Sequence, residues 1–294
     1  MPETGLVVGG DSLIGERIAA TWQRAGAAVQ HTTRRSNQVG VAFDLARPDL
    51  SVFKARFDVV VFCAAVTSMV VCEKSPDETR AINVAGTLAA MRAAADSGAH
   101  VVYFSSSQVF DGETPYPAED AATSPKNVYG RQKLDVETAI AGERIPAAIM
   151  RVTKVLSSRP VGMFHGWYQN LAQGKPAVAA TNMTLAPVSA QDCADLAIAL
   201  GRKRQRGIWH LSSSDEMPYD AAARRMAEIC GLKSDLVRGE PVTEQQVPDI
   251  FRHRYTALNA AKASALPGIV VKPASETLDL LFGDYARSAV VAAP

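Results

Sequence analysis

Tyr129-Gly130-Arg131-Gln132-Lys133 sets a phenol and an ammonium four residues apart, a spacing that puts both on one face of a helix. Such a pair can move a proton. A tyrosine of ordinary pKa, about 10, is a poor acid–base at neutral pH unless a nearby cation stabilises its phenolate. Lys133 can supply that charge, as can an oxidised nicotinamide. The run Ser105-Ser106-Ser107 closes an apolar stretch, Val101 to Phe104, and a serine hydroxyl there could polarise a carbonyl. Serine, tyrosine and lysine together suffice for hydride transfer between a nicotinamide and a carbonyl/alcohol pair, with Tyr129 handling the proton. Lys133 would also anchor the nicotinamide ribose, so Tyr129 and Lys133 both belong to the expected cofactor site. A tyrosine–lysine spacing arises readily by chance. The elements around it must carry the inference.

The first of these is Gly9-Gly10-Asp11-Ser12-Leu13-Ile14-Gly15, which lies between a short apolar strand, Leu6 to Val8, and a helical stripe of Ile14, Ile18 and Trp22. Gly9 permits a tight turn and Gly15 a close packing of helix on strand. Backbone N–H groups at the helix start, Ser12, Leu13 and Ile14, can then hold a pyrophosphate with help from the helix dipole. Ser12 stands where the middle glycine of the usual triplet would be, and its hydroxyl could donate to phosphate. The end of the second strand decides the dinucleotide. NAD-selective folds hold the ribose hydroxyls with a carboxylate there. This chain has His31-Thr32-Thr33-Arg34-Arg35, with no acid in reach. Thr33, Arg34 and Arg35 therefore predict NADP over NAD, through hydrogen bonds and charge to a 2′-phosphate. A solvated basic loop is the alternative.

Around these motifs the chain alternates strands and helices. Strands are expected at Leu6–Val8, Ala28–Thr32, Val41–Phe43, Val59–Cys63, Val101–Phe104 and Ala147–Met150. Helices are expected after Ile14, from Pro76 to Gly98, and from Pro125 to Ala141. The fourth and fifth strands are apolar on both faces, as in a parallel sheet covered by helices. The expected fold is therefore α/β, a doubly wound parallel sheet of Rossmann type with a smaller C-terminal substrate lobe. Residues 1–155 would form the dinucleotide-binding domain and 156–294 mostly the substrate lobe, with segments near 189–212 returning to the sheet. In that second half, helices are expected at Asp192–Leu200 and Tyr219–Cys230 and a strand at Gly207–Leu211. The basic run Arg202 to Arg206 reads as a solvated helix end.

Composition sets the outer bounds. The 294 residues carry 31 basic and 30 acidic side chains, a net charge of +1, which offers no drive toward nucleic acid or an anionic membrane. No apolar run approaches the ~18 residues of a membrane-spanning helix. The N-terminus has no leader-like pattern, so a soluble cytoplasmic protein is expected. The four cysteines and five histidines show no metal-ligand spacing, and no metal site is expected.

In combination these motifs resemble an extended short-chain dehydrogenase/reductase. Asn83-Val84-Ala85-Gly86-Thr87, Val109-Phe110-Asp111-Gly112, Asn127-Val128-Tyr129-Gly130-Arg131-Gln132-Lys133 and Ala186-Pro187-Val188-Ser189 before Asp192 resemble the dTDP-4-dehydrorhamnose reductase group within it. The resemblance runs from Gly5 to about Leu281. By register it implies Ser106 as the catalytic hydroxyl with Tyr129 and Lys133, adenine contact by Asp44 and Leu45, and backbone contact to the cofactor by Ala64 and Ala65. It also implies a nucleotide-sugar substrate and allows a homodimer.

The departures from the group bear on the substrate. Ser107-Gln108 replaces the Asp-Tyr of the rhamnose-forming reductases and the Asp-Glu of related dehydratases, so acid–base dehydration is not expected. Lys154 replaces a tryptophan after the sixth strand. Ser107, Gln108, Lys154, Arg252 and Arg254 are the expected substrate residues, with the diphosphate contact made by Lys154 or by Arg252 and Arg254. The leading expectation is an NADP-dependent keto-sugar reductase. Alternatives are a nucleotide-sugar 4-epimerase that retains its cofactor, and a non-catalytic, cofactor-sensing subunit like the β subunit of methionine adenosyltransferase.

Overall fold

The computed structural model describes residues 2–35, 39–158 and 162–291. Its centre is a seven-stranded parallel sheet in the order β11-β6-β5-β4-β1-β2-β3. Those strands are β1 (Thr4–Val8), β2 (Ala28–Thr33), β3 (Val41–Ala42), β4 (Val59–Phe62), β5 (His100–Ser106), β6 (Ala147–Val152) and β11 (Gly207–Leu211). Smaller two-stranded pairings join β7 (Lys154–Leu156) to β10 (Pro187–Ser189), β8 (Ala177–Ala180) to β13 (Val237–Glu240), and β9 (Thr184–Leu185) to β12 (Met217–Pro218). The expected α/β doubly wound Rossmann sheet, with a smaller C-terminal lobe, is what the chain forms.

Strand periodicity explains the layering. Val7, Val59, Val61, Val102 and Phe104 point to one face and join a core with Ile18, Trp22, Leu196 and Trp209. Leu6, Val8, Val60, Phe62, Val101 and Tyr103 point to the other and pack on Val84, Leu88, Met91, Val136 and Ile140. The first face is covered by α1 (Leu13–Arg24) and α7 (Ala190–Arg202); Ser189 and Asp192 close a capping box at the start of α7. The second face is covered by α4 (Thr87–Asp96) and α5 (Val128–Gly142). A separate core around Trp167, Leu185, Met226 and Phe282 holds the C-terminal lobe, built from α6 (Gly162–Ala172), α8 (Tyr219–Ile229), α10 (Ala274–Val291) and the small sheets.

Several expected boundaries move, each for a local reason. The helix expected from Pro125 starts at Val128, because Asn127 is its cap and accepts the Gly130 N–H at 2.8 Å. The helix expected from Pro76 to Gly98 is broken: α2 (Met69–Lys74) precedes it, and α3 (Pro76–Arg80) passes through a π-helical turn, Ala81–Gly86, into α4. At Gly86 a Cβ would fall 1.8 Å from the Leu45 carbonyl oxygen, so the turn and the loop after β3 touch through backbone. The short strands β7 to β10, β12 and β13, and the helices α6, α9 (Ala261–Ser264) and α10, are additions to the sequence expectation. The basic run is a tether and not merely solvated: Arg202 pairs with Glu3 at 2.8 Å, and Arg204 donates to the Asp58 and Gly98 carbonyls.

Candidate active site

The chain leaves β1 toward β2 and later crosses to β4 on the other side. This topological switch opens a crevice at the carboxyl edge of the sheet. Gly9 turns there with φ +101°, and a Cβ on it would lie 2.7 Å from the Ala64 nitrogen. At Gly15 a Cβ would lie 2.1 Å from the Gly9 oxygen, so α1 can approach the turn only without a side chain. The crevice has a volume of about 540 Å³, and Gly9, Ser12, Thr33, Arg34, Arg35, Asp44, Leu45, Ala64 and Ala65 all line it. Ile14 lies instead on the adjoining cleft beside Tyr129, and Leu13 on a separate apolar recess with Phe164 and Phe282.

Two polar expectations at this end need correction. The Ser12 hydroxyl accepts from Gly15 N at 3.0 Å and donates to Gly9 O at 2.7 Å, so it closes the turn and caps α1 rather than offering its proton to a phosphate. The Thr33 hydroxyl donates to Asp11 Oδ2 at 2.8 Å, and Arg34 N donates to the same oxygen at 3.2 Å. An acid is therefore within reach of the β2 end after all. It comes from the glycine-rich turn, 22 residues away in sequence. Arg34 and Arg35 line the crevice beside this acid.

Next to this crevice, and sharing Cys63, Ala65 and Thr67 with it, is a cleft of about 660 Å³ lined by Ser106, Ser107, Gln108, Tyr129, Lys133 and Lys154. Ser106 ends β5 and Tyr129 begins α5. At Gly130 a Cβ would meet the Gln108 oxygen at 2.0 Å, so only a glycine after Tyr129 lets the helix lie against the Ser107–Val109 turn. Lys133 is buried one turn further along. Its Nζ donates to Phe104 O at 2.7 Å and lies 5.7 Å from the centre of the Tyr129 ring and 4.8 Å from that of Tyr103. Burial lowers Lys133 to a pKa of about 8, against upward pulls from Cys63 and Glu137. Burial raises Tyr129 well above its ordinary value, while its hydrogen bond with Ser106 draws it back. Without further positive charge the phenol stays protonated, as an acid toward a carbonyl should be. Burial also holds Cys63 up at about 11, so it stays a thiol although it lines the cleft.

Sequence reasoning missed the groups that hold this constellation in place. Asn83, in the π-helical turn, donates to Val66 O and to Gln132 Oε1 and accepts from Val66 N, pinning the loop that follows Ala64-Ala65 to α5. Asn127 donates to Gln108 Oε1 at 2.8 Å and so orients it. Under Lys133, Arg151 makes a bidentate pair with Glu137, which also accepts from Ser105 Oγ at 2.5 Å; both charges are over 95% buried. Asn83 and Gln132 lie in motifs already quoted. Their spacing carried no hint of the contact between them.

The expected diphosphate ligands separate. Lys154 lines the cleft and is exposed, and the protein packed around it still lowers its pKa through desolvation. Arg252 is paired with Glu244 and is not among the lining residues, because a local acid on its own loop holds it. Arg254 is exposed, with its guanidinium 5.2 Å from the Tyr255 ring centre, and also lies off the cleft. Between them, His253 is buried and does line it. Among the described residues no cluster of three or more histidines, cysteines or acids could hold a metal, and no helix is long and apolar enough to cross a membrane.

Comparison with known proteins agrees with this geometry. Methionine adenosyltransferase 2 subunit beta of Rattus norvegicus is 26% identical over 284 residues, spanning 89% of this chain and 81% of the relative. A dTDP-4-dehydrorhamnose reductase of Mycobacterium tuberculosis is 31% identical over 221 residues, 72% of this chain and 71% of the relative. Among solved structures, dTDP-4-dehydrorhamnose reductase from Bacillus anthracis in complex with NADP superposes with a TM-score of 0.82 at 19% identity, covering 96% of this chain and 98% of that one. The model of the RmlD substrate binding domain matches residues 4–286. With its glycine-rich switch point, its Tyr-x-x-x-Lys helix and this match over nearly its whole length, the chain belongs to the RmlD substrate binding domain family.

Proposed function

We propose that this protein is an NADP-dependent reductase of a keto-sugar, in all essentials a nucleotide-linked one. The observation that carries the reading is the contiguity of the two clefts: Ser106, Tyr129 and Lys133 line the one that opens directly onto the glycine-rich crevice. The crevice suits a dinucleotide on its own evidence. Side chains at Gly9 and Gly15 would close it, and the amino end of α1 faces into it. A reduced nicotinamide, when bound, supplies a hydride. The chain's residues do the rest. The Ser106 hydroxyl polarises the substrate carbonyl, Tyr129 gives its proton to the carbonyl oxygen, and Lys133 supports the phenolate left behind. Ser107 and Gln108 hold no acid or base for dehydration, and Lys154 is the remaining cation for a diphosphate.

The cofactor preference follows from Arg34 and Arg35 opposed by Asp11. Arg34→Ala is expected to weaken NADPH by the ~1.5–3 kcal/mol of a charged hydrogen bond while leaving NADH nearly unchanged. Asp11→Asn removes a negative charge from the same wall. It should tighten NADPH by about five-fold, the ~1 kcal/mol of one exposed charge interaction. Fluorescence titration of both reduced cofactors measures this, and equal or tighter binding of NADH by the wild type would refute the preference.

Lys133 gives the binding a pH limb. It carries its proton below about pH 8 and loses it above. The affinity for NADPH should therefore fall as pH rises through that value. Lys133→Met should bind more weakly throughout and lack the limb. A wild-type affinity that is flat from pH 7 to 10 would remove Lys133 from the cofactor site.

The second reading, a cofactor-binding subunit without turnover, draws on the similarity to methionine adenosyltransferase 2 subunit beta. A 4-epimerase would differ by turning over without added NADPH. Ser106, Tyr129 and Lys133 together at one cleft favour the reductase, since binding alone has no use for a proton donor beside a hydroxyl.

A further inference from the structure

Three buried histidines, His100, His210 and His253, have an Nε2 with no protein partner among the described residues. An unpartnered ring nitrogen is therefore not by itself a sign of function in this chain. Place separates the three. His100 begins β5 at the amino edge of the sheet, and His210 lies inside β11 with its Nδ1 at Asn259 O. His253 alone of them lines the cleft that holds Ser106, Tyr129 and Lys133. Thr153, just past β6, is in the same condition: it is 7% exposed, its Oγ1 has no protein partner, and it lines the same cleft. One group comes from the carboxyl edge of the sheet and the other from the segment after the C-terminal lobe's last strand.

The imidazole is held, not loose. Tyr255 N donates to Gly112 O at 2.9 Å, and Lys126 Nζ reaches Arg252 O at 3.4 Å, so both sides of His253 are tied to the loop that follows β5. Gly112, at φ +76°, has no side chain because the His253 Cβ occupies that space; a Cβ there would lie 2.4 Å from it. The charged groups facing the ring are Lys126, Asp111, Glu113 and Asp249, and Lys126 is itself paired with Glu113 and Asp249. Burial, with Lys126 beside it, lowers His253 to about 4, so the ring is neutral at working pH.

A buried polar group without a partner is destabilising, and one that lines a cleft can be completed by a ligand. A neutral imidazole and a hydroxyl match neutral hydroxyl groups, since each can donate or accept; an anion would call for cations instead. We infer that His253 Nε2 and Thr153 Oγ1 are substrate-binding groups that hydrogen-bond the hydroxyls of a polyhydroxylated ring held against Ser106 and Tyr129. This deepens the reductase reading by naming the sugar contacts, and it rests on the same cleft.

The test uses probes without a keto group: UDP-glucose, dTDP-glucose and L-rhamnose, each titrated into the NADPH-loaded protein. Nitrogen NMR of the labelled histidines should show the His253 Nε2 resonance, identified by its loss in His253→Gln, moving with at least one probe while His100 and His210 stay fixed. By calorimetry, His253→Leu and Thr153→Val should each weaken that probe about ten-fold, with His253→Gln closer to wild type. A His253 resonance that moves with none of the probes overturns the inference, as do unchanged affinities in both variants. The NMR arm reads the wild-type protein and needs His253→Gln only to assign one resonance, so poor folding of His253→Leu or Thr153→Val does not blunt the test. Sugar binding without NADPH consumption on any keto-sugar nucleotide would refute the reductase reading and leave this inference standing. Consumption with an unmoved His253 would do the reverse.

Discussion

Tyr129→Phe is expected to keep dinucleotide binding and to lose turnover by about 10²- to 10⁴-fold, the usual contribution of a general acid. The change removes one oxygen. The ring that lies 5.7 Å from Lys133 Nζ remains, as does the bond from Lys133 to Phe104 O, so the cleft beside the dinucleotide crevice keeps its shape. On the reductase reading the phenol acts on the substrate oxygen, with Ser106 hydrogen-bonded beside it. Ser106→Ala should therefore lower kcat as well, by less, because the proton donor is still present. Steady-state rates and NADPH titrations on the same preparations separate the two effects. A Tyr129→Phe variant with wild-type turnover would show that the proton comes from elsewhere.

Arg151→Met is expected to destabilise the fold by about 3–5 kcal/mol, the range for removing one partner of a buried ion pair. Glu137 would be left over 95% buried, with the Ser105 hydroxyl still donating to its carboxylate. Arg151 also donates to Glu119 O and stacks 5.0 Å from the Phe110 ring centre, so the loop after β5 loosens with it. Replacing both charges, as Glu137→Leu with Arg151→Met, should recover most of the loss, since apolar substitution of a whole buried pair is often close to neutral. Urea unfolding midpoints measure this. A single variant within 1 kcal/mol of wild type would mean that the pair contributes little to the platform under Lys133.

The parts of the fold that were legible in the sequence are those where one physical period dominates. Val59 to Phe62 and Val101 to Phe104 are apolar on both faces, and only a strand inside a covered parallel sheet has use for that. Gly9 and Gly15 announce a backbone approach that a Cβ would block, as the 2.7 Å and 2.1 Å distances bear out. The small paired strands outside the main sheet were not legible. They are two to four residues long and are fixed by pairing with distant partners, such as Ala177–Ala180 with Val237–Glu240. At the site, most of the residues that line the crevice followed from motif and register, while their neighbours did not. Asp11 was visible in the turn, and nothing local said that Thr33 would turn toward it. Arg252 and His253 are adjacent, but Glu244 draws the first away from the cleft while Gly112 seats the second in it. Long-range pairing decides such cases, and it leaves no period in the sequence.

The reductase reading is tested most directly by incubating the protein with NADPH and a panel of keto-sugar nucleotides, dTDP-4-dehydrorhamnose among them, and following absorbance at the nicotinamide band. NADPH consumption equal to the sugar alcohol formed, dependent on added cofactor and abolished in Tyr129→Phe, is the expected result. Tight NADPH binding with no consumption across the panel would contradict it and identify a cofactor-binding subunit instead.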